Sequence, residues 1–90
     1  MKDKMKRKRY TVIVKRSAEK SIARFPKNIG ERVLDAIERL ANNPRPPGCK
    51  KLEDDYWRIW IGRRYRVIYK IDDKQRTVTV VIAKTREGAY

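Results

Sequence analysis

The sequence predicts an α+β domain of order β-α-α-β-β-β, with a two-helix hairpin packed on one face of a mainly antiparallel four-stranded sheet. Three observations predict it. A β-branched run opens the patterned part of the chain, two helical periods separated by one proline follow, and three strand signals then arrive with only turn-sized gaps between them. At 90 residues the chain can bury one hydrophobic core but not two, so all of these elements belong to a single domain over 10–90.

The segment Met1 to Arg9 carries Lys2, Lys4, Lys6, Arg7, Lys8 and Arg9 against Asp3 alone. It has no apolar period and is expected to be a mobile basic arm. Tyr10 to Lys15 reads Y-T-V-I-V-K, a strand pattern. Ser17 is the expected cap of a first helix whose apolar positions Ala18, Ile22 and Phe25 share one side. Pro26 closes that helix. A second helix is expected from about Lys27 to Asn42, with Ile29, Val33, Ile37, Leu40 and Ala41 at the spacing of a buried stripe. The stretch Asn42-Asn43-Pro44-Arg45-Pro46-Pro47-Gly48 then stops helix formation, because prolines remove backbone donors and favour extended geometry before them. Strands are expected at Tyr56 to Ile61, Tyr65 to Ile71 and Thr77 to Lys84, with Asp72-Asp73-Lys74-Gln75 as the second turn.

Alternation decides the register of the first hairpin. A two-residue turn at Gly62-Arg63 would pair Ile61 with Arg64 and Ile59 with Arg66, mixing arginines with core aliphatics. A three-residue loop of Gly62, Arg63 and Arg64 pairs Ile61 with Tyr65, Ile59 with Val67 and Trp57 with Tyr69, giving one apolar face for the helices to cover. The other face then carries Arg58, Trp60, Arg66, Ile68 and Lys70, with Trp60 beside Arg66 and one step from Arg58. A guanidinium forks onto phosphate oxygens and an aromatic face stacks on an unpaired base, so this face suits single-stranded RNA. Two alternatives stay open from the residues alone: Trp60 as core of a second buried face, and Arg66 in a salt bridge to Glu53, Asp54 or Asp55.

Composition points the same way. Lys and Arg number 25 against 11 acids, a formal net charge of +14, whereas solubility asks for only about 2–8 on a small domain. The excess favours a polyanion through counterion release and steering. No apolar run approaches the roughly 20 residues that span a bilayer, and no signal-peptide core follows the basic start, so a cytoplasmic protein without a membrane partner is expected. Histidine is absent and Cys49 is the one cysteine. An intramolecular disulfide and a histidine-based metal site are thereby excluded, and Cys49, in a proline-glycine loop without an activating imidazole, reads as an ordinary free thiol.

The order of elements, the segment Tyr56-Trp57-Arg58-Ile59-Trp60-Ile61-Gly62-Arg63-Arg64-Tyr65-Arg66-Val67-Ile68-Tyr69 and the ending Lys84-Thr85-Arg86-Glu87-Gly88-Ala89-Tyr90 together resemble the RelE/ParE toxin superfamily. The likeness covers nearly everything after the basic arm, and the ending looks closer to archaeal-type RelE proteins than to bacterial ones. The resemblance implies the RelE-like fold and the toxin of a type II toxin–antitoxin system. It also implies a ribosome-dependent endoribonuclease that cleaves mRNA in the A site by attack of a ribose 2′-hydroxyl on the adjacent phosphate, without metal or cofactor.

Carried over by position, Arg66 would clamp the scissile phosphate and Arg86 would stabilise the phosphorane-like transition state and neutralise the leaving 5′-oxygen. Tyr90 would stack on a base or orient the 2′-hydroxyl. Arg58 stands where bacterial members carry a basic residue, whereas Trp60 replaces a second one. With no obvious general base, Lys50, Lys51, Lys84 and Tyr90 are the titratable candidates. Lys50, Lys51, Trp60, Arg64 and Lys84 complete the expected RNA-contacting set. The implied partners are an acidic, RelB-like antitoxin, and mRNA with the 16S rRNA of the ribosomal A site. Competing readings are a ParE-like DNA gyrase inhibitor and a non-catalytic RNA- or ribosome-binding protein.

Overall fold

A computed structural model describes residues 9–86; residues 1–8 and 87–90, which hold most of the expected basic arm and Tyr90, lie outside the described residues. Strand β1 (Thr11–Val14) leads into helices α1 (Arg16–Arg24) and α2 (Lys27–Arg39), followed by β2 (Lys50–Lys51), β3 (Tyr56–Ile61), β4 (Tyr65–Asp72) and β5 (Thr77–Thr85). The sheet order is β1-β5-β4-β3-β2, with β1 parallel to β5 and every other pair antiparallel. The sheet therefore has five strands where four were expected. The additional one, β2, is two exposed lysines on the sheet edge, too short and too polar to leave an alternation signal, and lysine is a residue that guards edges against further pairing.

Two boundaries differ from expectation for traceable reasons. Lys15 donates its N–H to Val80 O at 2.9 Å and already accepts Glu19 N–H at 2.9 Å, so the end of β1 hands the chain directly to α1. Lys15 is thus the cap, and Ser17 lies inside the helix, where its carbonyl accepts the Ser21 hydroxyl at 3.2 Å. Helix α2 stops at Arg39 because the next N–H groups fall back on closer carbonyls, Leu40 on Ile37 and Ala41 on Glu38, an unwinding that precedes Pro44. Pro26 divides the helices as expected. Phe25 before it is extended (ψ 155°) and Pro26 itself caps α2. At Gly30 an added Cβ would stand 3.4 Å from Ile22 O, so the helix backbones meet closely there.

The helices cover one face. Ala18, Ile22, Phe25, Val33, Ile37 and Leu40 pack on Ile59, Ile61, Val67, Tyr69, Ile71, Val78, Val80 and Ala83, burying side chains worth roughly 1.5–3 kcal/mol each for the larger aliphatics. Phe25 and Tyr65 add a tilted ring pair, centroids 4.8 Å apart. The fully buried Tyr69 keeps its hydroxyl satisfied by donating to Pro44 O at 2.7 Å, and burial raises that phenol above its usual range. The opposite sheet face has no covering layer among the described residues.

The first hairpin has the three-residue loop: Ile61 pairs with Tyr65, Ile59 with Val67 and Trp57 with Tyr69. Gly62 in that loop has φ +67°, a left-handed value that costs glycine little. The second turn lies one residue later than expected, at 73–76, because Asp72 still pairs with Thr77. Strand β5 contains a bulge: Ile68 pairs with Ile82 but Tyr69 with Val80, leaving Val81 extra. Strict alternation from Val78 and Val80 would have carried Ile82 and Lys84 into the core. The extra residue reverses the phase, burying Ala83 and Thr85 and turning Ile82 and Lys84 to the open face.

Candidate nucleic-acid interface

Paired residues of an antiparallel sheet point to the same side, so the register defines the open face. One row runs Trp60, Arg66, Lys84 across β3, β4 and β5; the next runs Lys50, Arg58, Ile68, Ile82 from β2 to β5. Like charges stand directly opposite twice, Lys50 against Arg58 and Lys84 against Arg66, an arrangement that disfavours the isolated protein. Trp60 sits between the two arginines. The Arg58 guanidinium carbon lies 5.3 Å and that of Arg66 5.9 Å from the Trp60 ring centre, both within cation–π reach.

Among the described residues, no ion pair involves Arg58 or Arg66. The Nε atoms of Arg58 and Arg66 are shielded from solvent, and no hydrogen-bond acceptor reaches either among the described residues. The described ion pairs, Arg39 with Asp35 and Arg45 with Asp73, lie elsewhere. A shielded Nε–H without an acceptor is costly, and a phosphodiester oxygen is the ligand that would relieve it. Trp60 remains 38 % exposed and Ile82 39 %, so this face is an open platform on which part of the indole stays accessible.

The remaining predicted residues divide. Lys84, half-buried, stands across from Arg66, and Lys50 across from Arg58. Lys51 pairs with Trp57, whose side chain packs against the core, and so faces the helix side, away from the arginines. Arg64 lies in the loop after Gly62, and its carbonyl accepts the Arg86 N–H at 2.6 Å. That bond ties the end of β5 to the hairpin loop and brings Arg86 to a shallow hollow of about 430 Å3 shared with Trp60, Gly62 and Arg63. Trp60 thereby links Arg58 and Arg66 on one side with Arg86 on the other. Arg63 is a member of this group that the sequence reading left out; its placement in the loop beside Gly62 was the available signal. No cluster of three or more potential metal ligands occurs among the described residues, and no helix among them is long and apolar enough to cross a membrane.

Comparison with known proteins gives a consistent result. Residues 12–88 match the family described as the ParE toxin of the type II toxin–antitoxin system parDE. A curated relative, Toxin RelE of Mycobacterium tuberculosis, is 31% identical over 84 residues, covering 90% of this chain and 86% of the relative. Among solved structures, the archaeal RelE–RelB complex of Pyrococcus horikoshii superimposes with a TM-score of 0.78 at 29% identity, covering 89% of this chain and 98% of that one. The RelBE2 toxin–antitoxin complex of Mycobacterium tuberculosis gives 0.75 at 26% identity, with 87% and 99% covered.

Proposed function

The chain belongs to the ParE toxin family of type II toxin–antitoxin systems and is RelE-like within the RelE/ParE superfamily, and from that premise we propose that it is an mRNA-cleaving toxin acting in the ribosomal A site. The observation that carries this reading is the Arg58–Trp60–Arg66 group, two guanidiniums on one indole whose buried Nε atoms find no acceptor among the described residues, with lysines beside them.

In the reaction, the 2′-oxygen attacks the adjacent phosphorus as its proton leaves. The bond to the 5′-oxygen breaks as that oxygen is protonated, leaving a 2′,3′-cyclic phosphate and a 5′-hydroxyl. Arg66, with Lys84 opposite, holds the non-bridging oxygens, whose charge grows in the transition state. Arg86 approaches from the Gly62 side and neutralises the leaving oxygen. Arg58 supports the flanking phosphate and the accessible part of Trp60 stacks on a base. Tyr90 orients the 2′-hydroxyl or stacks on a base. Positioning and charge stabilisation carry most of the acceleration, and the ribosome aligns the strand. No metal or cofactor takes part.

The family match is to a ParE toxin, so the competing reading is the ParE-like inhibitor of DNA gyrase that the resemblance also allows. Inducing the protein in cells and mapping new mRNA 5′ ends separates the readings. In-frame cuts within translated codons are expected, and purified protein should cut mRNA with ribosomes but not without them, in the presence of a chelator. DNA damage with intact transcripts would establish the gyrase reading instead, and neither outcome would leave a passive binder. A restraining partner is also part of the proposal. Structures of related RelE toxins contain RelB antitoxins, and with a net charge of +14 this chain calls for an acidic one.

A further inference from the structure

Helix α2 sorts its charges by side. Arg32 and Arg39 are seven residues apart, close to two turns, and share one flank; Glu31, Asp35 and Glu38 share another. The acids border the apolar groove beside β1, with Tyr10, Val12 and Leu34. The arginines border a different hollow of about 360 Å3, closed by Ala36, Trp60, Ile61 and Gly62. Asp35 sits at the boundary, held by Arg39 at 3.0 Å.

This second hollow adjoins the one containing Arg63 and Arg86, since Trp60 and Gly62 line both. Gly62 is the shared sill. It has no side chain, and a Cβ there would stand 3.7 Å from the nearest Arg32 guanidinium nitrogen, so Arg32 lies directly against the loop that joins the two site strands. The surface from Arg66 past Trp60, over Gly62 and on to Arg32 and Arg39 is therefore one path, with Arg63 and Arg86 beside it and the acidic flank of α2 as its far border.

We infer that this path is a track for the RNA strand beyond the cleavage site, the arginines of α2 holding phosphates that flank the codon. The inference rests on the proposed RNA-cleaving role of the Arg58–Trp60–Arg66 group. A flexible single strand matches the path: it turns over the β3–β4 loop at a glycine, against which the Arg32 guanidinium already lies, and its charges repeat along its length. Phosphate contacts of this kind carry no base preference.

The test is binding of 2′-O-methyl oligouridylates, which lack the attacking hydroxyl, to the purified full chain, as a trinucleotide and as a nonanucleotide, followed by fluorescence anisotropy across a salt series. The nonanucleotide is expected to bind more tightly. The double variant R32A/R39A should weaken the nonanucleotide about tenfold and flatten its salt slope by about 1.4, two contacts at roughly 0.7 each, with the trinucleotide unaffected. R32K/R39K should restore most of the loss, which excludes a folding defect. An unchanged nonanucleotide, or equal loss for both lengths, overturns the track. Loss of antitoxin affinity with RNA binding intact also overturns it, assigning the stripe to a protein partner. Failure of R66A to weaken the trinucleotide would count instead against the cleavage site itself.

Discussion

Strand β3 presents two tryptophans, one near each end and on opposite faces, and each has arginine above it. Arg45 lies 5.0 Å from the Trp57 ring centre and Arg58 5.3 Å from that of Trp60, so the cation–ring contact is nearly the same. The surroundings differ. Arg45 grips Asp73 with two hydrogen bonds of 3.3 and 2.9 Å, and Tyr10 donates to the same carboxylate at 2.6 Å. That group clasps Tyr10 before β1, the proline loop and the second turn together. Around Trp60, no described acid takes the corresponding place, and the neighbours are Arg66, Lys84 and Lys50. At these two tryptophans the Asp73 carboxylate thus separates Arg45, used for structure, from Arg58 and Arg66, held available to a ligand. A cation–aromatic contact alone does not distinguish them.

The largest effect that could break this contrast is on Arg66. The R66A variant should lose about 10²–10³ in mRNA cleavage rate with an unchanged or slightly raised melting temperature, since removing a cation opposite Lys84 relieves repulsion. A fully toxic R66A would end the assignment. At the clasp end, Y69F removes the donor to the buried Pro44 carbonyl, next to Arg45. It should cost about 1–3 kcal/mol, a fall in Tm of roughly 4–8 °C per kcal/mol, with cleavage per folded molecule retained; a calorimetric scan and a cleavage assay on the same sample check both halves.

A smaller effect compares the tryptophans directly. W60L should reduce RNA affinity between about fivefold and 160-fold, the span of a base–aromatic stack of about 1–3 kcal/mol, whereas W57L should lower Tm and leave affinity intact. Equal behaviour of the two would dissolve the distinction.

The smallest is a pH effect confined to the clasp. The Arg45 and Tyr10 hydrogen bonds hold the Asp73 carboxyl below its ordinary value, so its contribution is complete above the unfolded value near 4 and fades as pH falls through the lower folded one. The same hydrogen bond raises Tyr10, whose contribution is complete below about 10 and fades as pH rises through its higher folded value. The Tm difference between wild type and D73N should be flat at neutral pH and shrink at both extremes. A difference that grows in acid would contradict the bonding described.

Much of this was legible in residues close together along the chain. The hairpin register followed from alternation, because only a three-residue loop puts Ile59 and Val67 on one face, and that register already brought Trp60 beside Arg66. That Lys51 lies on the helix side while Lys50 lies beside Arg58 was not legible, because two consecutive lysines on a short edge strand give no alternation from which a face can be read. Ser17 was misassigned as a cap because the true start of α1 is set by the hydrogen bond from Lys15 to Val80, a partner far along the chain.

By itself, the sequence determined the strong positive charge, the helix–proline–helix hairpin, the β3–β4 pairing and the resemblance to a toxin family, all of which arise from local pattern, loop length or composition. Tertiary structure alone decided that Val81 would bulge, that Lys84 would consequently face Arg66, that Asp73 would meet Arg45, and that Arg32 would lie against Gly62. The physical reason is shared. Each depends on which distant segments pack together, and the phase of a strand or the direction of a helix flank is settled by that packing rather than by neighbours in the chain.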